Sequence, residues 1–465
     1  MRRHGGIEFF RMKLPLFKIP REIRDIAARL NQLGKTSYIV GGSLRDHFLH
    51  RPTSNDYDMA SDARPEEILR AFPRVVPTGI KHGTVTILLG GLSVEMTTLR
   101  TEEDYADGRR PGAVTFVADV EKDLARRDFT MNAMALDPVS GDFHDPFGGR
   151  SDIARRCIRT VGEPLERFSE DGLRPLRAVR FASQLDFSID PATMSAIQPS
   201  LETFKRVSWE RMRDEFQKIL LSPHPKAGLR LLESTGMFFV MIPELKDSRG
   251  FVQKGMHVHD VLDHLYATVD ASPPSLELRL AALLHDIGKP ATSVLDAENI
   301  PSFHGHEKVS SILGRNILKR LKFPNDVIDK VSRLVVHHMF NYSDEWTDAA
   351  IRRFLARIGP DLADELFLLR MADSAGITGT SPEPRALDAL KERINALLAA
   401  DNALSIKDLA IGGDDLAALG VPRGPIMGEI LGELLETVLD DPDQNEADRL
   451  KIIAGNLYRK RKPRT

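Results

Sequence analysis

The sequence predicts an α+β protein: a mixed α/β part ending near residue 150, then helices almost to the last residue. Three observations carry this. Runs rich in β-branched residues and punctuated by turn glycines, "SYIVGG" and "GTVTILLGGLSVEMTTLR", occur before residue 150. From "GRSDIARRCIRTVG" onward, apolar residues recur at helical spacing. The length of 465 residues, at roughly 150 per domain, suits about three domains with sizeable cores.

Taken in order, "REIRDIAARLNQLG" is an amphipathic helix stopped by Gly34, and "SYIV" is a short apolar strand. Gly41-Gly42 then makes a tight turn into a helix beginning "SLRDHFLH", and "ARPEEILRAF" starts another helix. The interruptions "SPHPKAG", "DASPPSLE", "TGTSPEPRA" and "GVPRGP" mark candidate boundaries in the helical part. The expected regions are 1–150, 151–245, 246–380 and 381–465. The basic tail "YRKRKPRT" reads as a solvated, disordered end.

Composition removes several classes of protein. Lys+Arg of 64 against Asp+Glu of 67 leaves a net charge of −3, so a nucleic-acid surface must be a local patch. One cysteine, Cys157, excludes an internal disulfide framework and fits a reducing compartment, the cytoplasm. The first twenty residues lack the apolar core of a secretory signal, and no run reaches the roughly 18 apolar residues of a membrane span, so no membrane partner is expected. No motif in the sequence encodes an oligomeric state.

The stretch Tyr38–Ser61, "YIVGGSLRDHFLHRPTSNDYDMAS", concentrates the chemistry. A glycine turn at Gly41 and Gly42 feeding a helix presents backbone N–H groups to an anion, and Arg45 adds a bidentate donor for phosphate. Asp56 and Asp58, two apart on a strand, point to one face. Hard oxygen ligands beside a phosphate cradle suit Mg²⁺ bound with a nucleoside triphosphate, and hence phosphoryl transfer. Either motif alone also arises in ordinary surface turns; their order and spacing carry the reading. Glu95, between Val94 and Met96, is the expected third carboxylate, turned from the apolar face by strand alternation. In "ARRDFTMNA", Arg126 and Arg127 suit phosphates and Asp128 and Asn132 suit a ribose hydroxyl, while Asp128 or Thr130 also suits a helix cap. On a helix through "EDGLRPLRAVRF", Asp171, Arg174 and Arg177 share about a third of the circumference and Arg180 falls nearly opposite Asp171. Pro175 requires that helix to start near Asp171.

In family order, "GGSLRD…DYD", "KHGTVTI", "VEMTTLR", "LARRDFTMNAMALDP", "DPFGGRSDI" and "EDGLRPLRAVRFASQLDF" resemble the motifs of class II tRNA nucleotidyltransferases, the CCA-adding enzymes, and their poly(A) polymerase relatives. The resemblance implies a polymerase-beta-like head with a two-carboxylate centre and an all-helical neck that selects the nucleotide. By that carry-over Gly42 and Arg45 touch the triphosphate, Asp56 and Asp58 hold Mg²⁺, Arg127 contacts the nucleotide, and Asp171, Arg174, Arg177 and Arg180 line the neck site. The expected partners are the 3′ end of tRNA with CTP and ATP. Arg155, Arg156 and Arg159 and the helical C-terminal half, including "LSIKDLAIGGDDLAALGVPRGPIMGEIL", are expected to touch RNA through its backbone and shape.

Eight of the 14 histidines lie between His257 and His338, too dense a cluster to ignore. "LRLAALLHDIGKP" sets Leu280, Leu283, Leu284 and Ile287 on one stripe, with His285-Asp286 before Gly288. His264, His304, His306, His337, His338 and Asp373 lie around it in sequence. The order resembles the HD phosphohydrolase superfamily, a helical bundle with a metal in its core. That resemblance implies His264, His285, Asp286 and Asp373 as ligands, with His306 and one of His337 or His338 for a second ion. The divalent metal is left open among Mn²⁺, Fe, Ni²⁺, Co²⁺ and Mg²⁺. The leading expectation is CCA addition. Poly(A) addition and partial CC- or A-addition compete within the class; a phosphohydrolase with a nucleotide-binding head and a non-catalytic RNA-binding relic compete from outside it.

Overall fold

The computed structural model describes residues 12–13, 19–51, 56–80, 83–103, 113–253, 259–295, 297, 301–340, 345–378, 385–400 and 403–461. The chain divides into two compact units, Met1–Pro243 and Glu244–Thr465. The border expected at 150 falls inside the first, and the one at 380 lies outside the described residues.

In the first unit the strands before the helical part run in order: β1 (Met12–Lys13), β2 (Ser37–Val40), β3 (Asp56–Ser61), β4 (Val75–Gly79), β5 (Thr84–Leu89), β6 (Leu92–Thr98), β7 (Arg100–Glu103), β8 (Ala113–Phe116), β9 (Ala135–Leu136) and β10 (Asp142–His144). Eight form one sheet in the order β1-β10-β9-β2-β3-β6-β5-β4, and β7 pairs with β8. The sheet is antiparallel except between β3 and β6, whose parallel register sets Asp58 opposite Glu95. One face is packed dry: Ile23, Ile26 and Leu30 of the helix Arg21–Gln32 lie with Tyr57, Met59, Val94 and Met96 in one core. Burying that face turns the alternate residues of β3 and β6 outward.

Helices follow from Gly149 to Met241. The helix Arg174–Leu185 takes Pro175 in its first turn, where no backbone N–H is needed. Its start differs from the expected one: Asp171 is extended (φ −141°, ψ 108°) and precedes the helix. The wheel that put Arg180 opposite Asp171 therefore does not apply.

The second unit is helical. Val261–Ala271, Leu276–Leu284, His306–Arg320, Asn325–His337 and Ala363–Thr378 frame the histidines. Leu276–Leu284 is buried from Leu278 to Leu284 on every side rather than along one stripe, so it is a central element. Toward the C-terminus, Leu416, Ile430, Leu434 and Leu450 share a smaller core. Tyr458–Arg461 of the basic tail, expected to be disordered, complete the helix Ala447–Arg461; the rest lies outside the described residues. No helix among the described residues is long and apolar enough to cross a membrane.

Candidate active site and a second candidate metal centre

Asp56 and Asp58 stand exposed on β3 with Tyr57 buried between them, and Glu95 stands exposed between buried Val94 and Met96. Three carboxylates thus share one face. Asp58 faces a cleft of ≈ 570 Å³, whose partial desolvation raises its carboxyl above the usual range; Arg127, the Gly42 N–H and Arg45 pull it back, and Asp56 adds to the rise. Glu95 is raised by the same burial and by Asp58. A cluster of hard oxygens that repel one another is relieved by a small divalent cation, so the donor set fits Mg²⁺.

Gly41 turns with φ +68°, where a side chain is strained. A Cβ there would stand 3.1 Å from Asp58 Oδ2 and 3.5 Å from Arg127 Nη1, so the residue lets the chain pass between them. The Gly42 N–H is used by Asp58, not left bare for an anion as the sequence suggested.

Arginines form the facing wall. Arg45 pairs with Asp46 at 2.9 Å and donates to Asn132 Oδ1 at 3.0 Å. Asn132 Nδ2 donates to Asp128 Oδ1 at 3.3 Å, and Arg177 donates to Asp128 Oδ2 at 2.6 and 2.8 Å. Against its own burial, the Arg177 guanidinium holds the Asp128 carboxyl down to about 2. Asp128 and Asn132 thus tie head to neck. Neither Asp128 nor Thr130 caps a helix: the short turn Thr130–Asn132 has no side-chain cap, and Thr130 Oγ1 donates to Asp152 at 2.6 Å. Arg180 lines the same cleft as Asp171, 2.6 Å from Glu215, with its guanidinium 3.8 Å from the Phe181 ring centre; Arg45 and Arg177 flank that ring at 5.2 and 5.6 Å. Burial and the neighbouring Arg177 and Arg45 lower Arg180 to about 10, with Glu215 opposing.

At the neck, Asp171 accepts from the Leu173 N–H at 3.0 Å and pairs with Arg211 at 2.7 Å. Arg174 donates to the carbonyls of Arg167 (2.9 Å) and Arg126 (3.0 Å) and pairs with Glu170. Arg155 and Arg159 pair with buried Asp152, and Arg156 with Asp186. Asp123, Arg211 and Glu215 escaped the sequence reading. The i, i+4 pair Arg211/Glu215 in "WERMRDEF" was a visible signal, but its partners are 30 to 40 residues away in sequence.

In the second unit, His264, His285 and Asp286 form one cluster of potential ligands, and Asp286, His306 and His338 form another, all buried. Asp373 Oδ1 lies 3.1 Å from His264 Nε2 and 3.4 Å from His285 Nε2. His338, not His337, meets His306, with their Nε2 atoms 3.4 Å apart. His337 is half-buried outside both clusters. His304 lines the adjoining cavity of ≈ 430 Å³ but joins neither cluster.

The rings are aimed by the backbone. Nδ1 of His285, His306 and His338 lies 2.9, 2.7 and 2.7 Å from the carbonyls of Ala282, Phe303 and Val335. This assigns the proton to Nδ1 and leaves Nε2 lone pairs converging on Asp286 and Asp373. Burial opposes charge here, yet Asp286 and Asp373 raise His285 to about 10, and both carboxyls sit well below their usual range. Either protons or a cation must satisfy this set, so it fits a divalent metal. Lys289, missed in the sequence, pairs with Asp286 and donates to Gln253 at 2.6 Å. Gly376 admits the centre: a Cβ there would stand 2.5 Å from Thr268 Oγ1 and 3.2 Å from His264 Nδ1.

Family descriptions match along the chain: a poly A polymerase head domain over residues 37–159, a probable RNA and SrmB- binding site of polymerase A over 186–248, and a putative tRNA nucleotidyltransferase domain 2 over 308–453. The CCA-adding enzyme of Geobacillus sp. (strain WCH70) is 35% identical over 438 residues, 93% of this chain and 96% of that enzyme. That of Lactobacillus gasseri is 36% identical over 450 residues, 97% and 98% of the two chains. The crystal structure of the Bacillus stearothermophilus CCA-adding enzyme in complex with CTP is similar with a TM-score of 0.73 at 32% identity, covering 95% of this chain and 98% of that one. The Thermotoga maritima CCA-adding enzyme complexed with tRNA_CCA shares the fold, at a TM-score of 0.55 and 20% identity over 93% and 94% of the chains. With such identity across nearly the full length of both partners, the chain belongs to the CCA-adding enzyme family.

Proposed function

We infer that this chain adds CCA to the 3′ end of tRNA from CTP and ATP, releasing pyrophosphate, in the cytoplasm. The observation that carries the reading is three carboxylates on one face of the β3–β6 pair, of which Asp58 and Glu95 line a cleft walled by arginines. Asp56 and Asp58 would hold Mg²⁺, which when bound activates the attacking hydroxyl and steadies the leaving pyrophosphate. Glu95 adds negative charge beside them. Arg45 and Arg127 receive the triphosphate, and the turn at Gly41 and Gly42 keeps side chains out of its way. Arg177 and Arg180 are held by Asp128 and Glu215, so they enter the cleft already oriented.

Base choice falls to Asp171 and Arg174. Cytosine and adenine each present an amino donor beside a ring-nitrogen acceptor; uracil and guanine reverse both. Each Asp171 oxygen keeps a lone pair after its contacts with Leu173 and Arg211, and the bonds of Arg174 use Nη1 and Nη2, leaving Nε to donate. The RNA would lie along Arg155, Arg156, Arg159 and the C-terminal helices. Incubating purified protein with tRNA ending at the discriminator base, and with labelled CTP or ATP separately, tests the reading. CTP should add two residues and ATP alone should add none until they are present. A long adenylate tail from ATP alone would favour poly(A) addition.

The convergent Nε2 atoms favour a second reading for the second unit: a metal-dependent phosphate-ester hydrolase with His264, His285, Asp286 and Asp373 around one ion and Asp286, His306 and His338 around another. Elemental analysis of the purified protein and hydrolysis of a chromogenic phosphodiester test it together. Metal-free protein without hydrolysis after reconstitution with each candidate ion contradicts it.

A further inference from the structure

Asp123 is a buried carboxylate at the edge of the cleft to which neither phosphoryl transfer nor base choice assigns a task. It sits on the helix Val120–Ala125 with its side chain 1% exposed. One oxygen receives Arg126 Nε at 2.9 Å and the Arg100 N–H at 3.3 Å; the other receives Arg127 Nη2 at 3.1 Å. Arg127 Nη1 reaches the Asn132 carbonyl at 3.3 Å, and Arg127 Nε is buried without an acceptor among the described residues.

The consequence lies across Gly41. Asp58 Oδ2 and Arg127 Nη1 both border the space where a Gly41 Cβ would stand, yet the ion pair of Arg127 is with Asp123 and not with Asp58. A guanidinium that close to a carboxylate, with no other counter-charge, is drawn onto it by their Coulomb attraction. Asp58 would then be neutralised by an arginine and closed to a cation.

We propose that Asp123 is a positioning residue for nucleotidyl transfer: it holds Arg127 away from Asp58, keeping Asp58 open to Mg²⁺ and Arg127 in the wall of the cleft that the triphosphate enters. This rests on the assignment of Asp56 and Asp58 as Mg²⁺ ligands. A merely structural Asp123 would neutralise two partly buried arginines and affect stability alone.

The test compares Asp123→Asn with the parent for Mg²⁺ half-saturation, kcat at saturating Mg²⁺ and CTP KM. Mn²⁺ affinity is read beside them by electron paramagnetic resonance, to which the second unit contributes equally in both proteins. The expected result is a half-saturation and an Mn²⁺ dissociation constant raised about tenfold, the size of one lost charge-assisted contact, with kcat largely recovered at high Mg²⁺. Asp123→Glu should restore most of it. In an Arg127→Gln background the shift should vanish, since nothing remains to collapse on Asp58. An unchanged Mg²⁺ dependence, or the same shift without Arg127, overturns the proposal. Should Asp123→Asn fail to fold, Asp123→Asn with Arg126→Gln against Arg126→Gln alone carries the same comparison with one buried charge fewer. Absence of any CTP transfer by the parent would instead count against the nucleotidyltransferase reading itself.

Discussion

In the first unit Asp56, Asp58 and Glu95 stand on an open strand pair, and arginines from several helices face them across a cleft. In the second, Asp286 and Asp373 lie buried among four buried histidines at the floor of a cavity. The first arrangement suits a cation that arrives with a triphosphate and leaves with pyrophosphate, because ligands are few and the balancing charge is mobile. The second suits a resident ion, because backbone carbonyls fix the imidazoles before any metal arrives. A cation site is therefore defined as much by what surrounds the carboxylates as by the carboxylates themselves.

The largest effect is expected at the open site. Asp56→Ala or Asp58→Ala should reduce transfer to below about one per cent while ATP binding stays measurable, since Arg45 and the other arginines of the cleft wall are untouched. Higher residual turnover contradicts the metal assignment. Next, replacing His285 and Asp286 together by Ala should remove bound metal and any phosphodiesterase activity and leave CCA addition intact. Loss of both activities with unchanged circular dichroism would show that the centres are not independent.

A smaller effect sharpens the role of the neck. Two mismatched polar groups at about 1–3 kcal/mol each give at least roughly a hundredfold preference for CTP over UTP, which Asp171→Ala should collapse. The contact of Asp171 with the Leu173 N–H also makes it a local cap. If that is its whole role, the variant loses about 1 kcal/mol of stability and keeps the kcat/KM ratio. The smallest effect is that of pH on Asp128. Its carboxyl, near 3.9 unfolded, is held at about 2 when folded. The stability it contributes is present above pH ~4 and lost as pH falls toward ~2, an effect on the order of 2 kcal/mol. Acid unfolding of wild type and Asp128→Asn should therefore converge over that window; a constant gap refutes the pairing with Arg177 as its source.

The period of two made the shared face of Asp56 and Asp58, and the outward turn of Glu95, legible from sequence, because a strand with one dry face has no other solution. His285-Asp286 was legible as a cluster member through the histidine-dense window around it and the order of residues that resembles the HD superfamily. The choice between His337 and His338 was not: adjacent helical residues differ by about 100°, and only packing against His306 decides which enters the centre. The pose of Arg180 was misread because the helix begins at Arg174, after Asp171. Asp123 and Arg211 were missed because a buried counter-charge has meaning only once its distant partner is in place.

Without a nucleic-acid template, CCA addition requires cytosine to be selected twice and then adenine. The most direct measurement gives purified protein a tRNA ending at the discriminator base, with all four nucleoside triphosphates at equal concentration, and reads the added residues one by one. The expected product is C, C, A and then a halt, with the same reaction absent in Asp58→Ala. Incorporation of uridine or guanosine at rates comparable to cytidine, or extension beyond the adenosine, would contradict it.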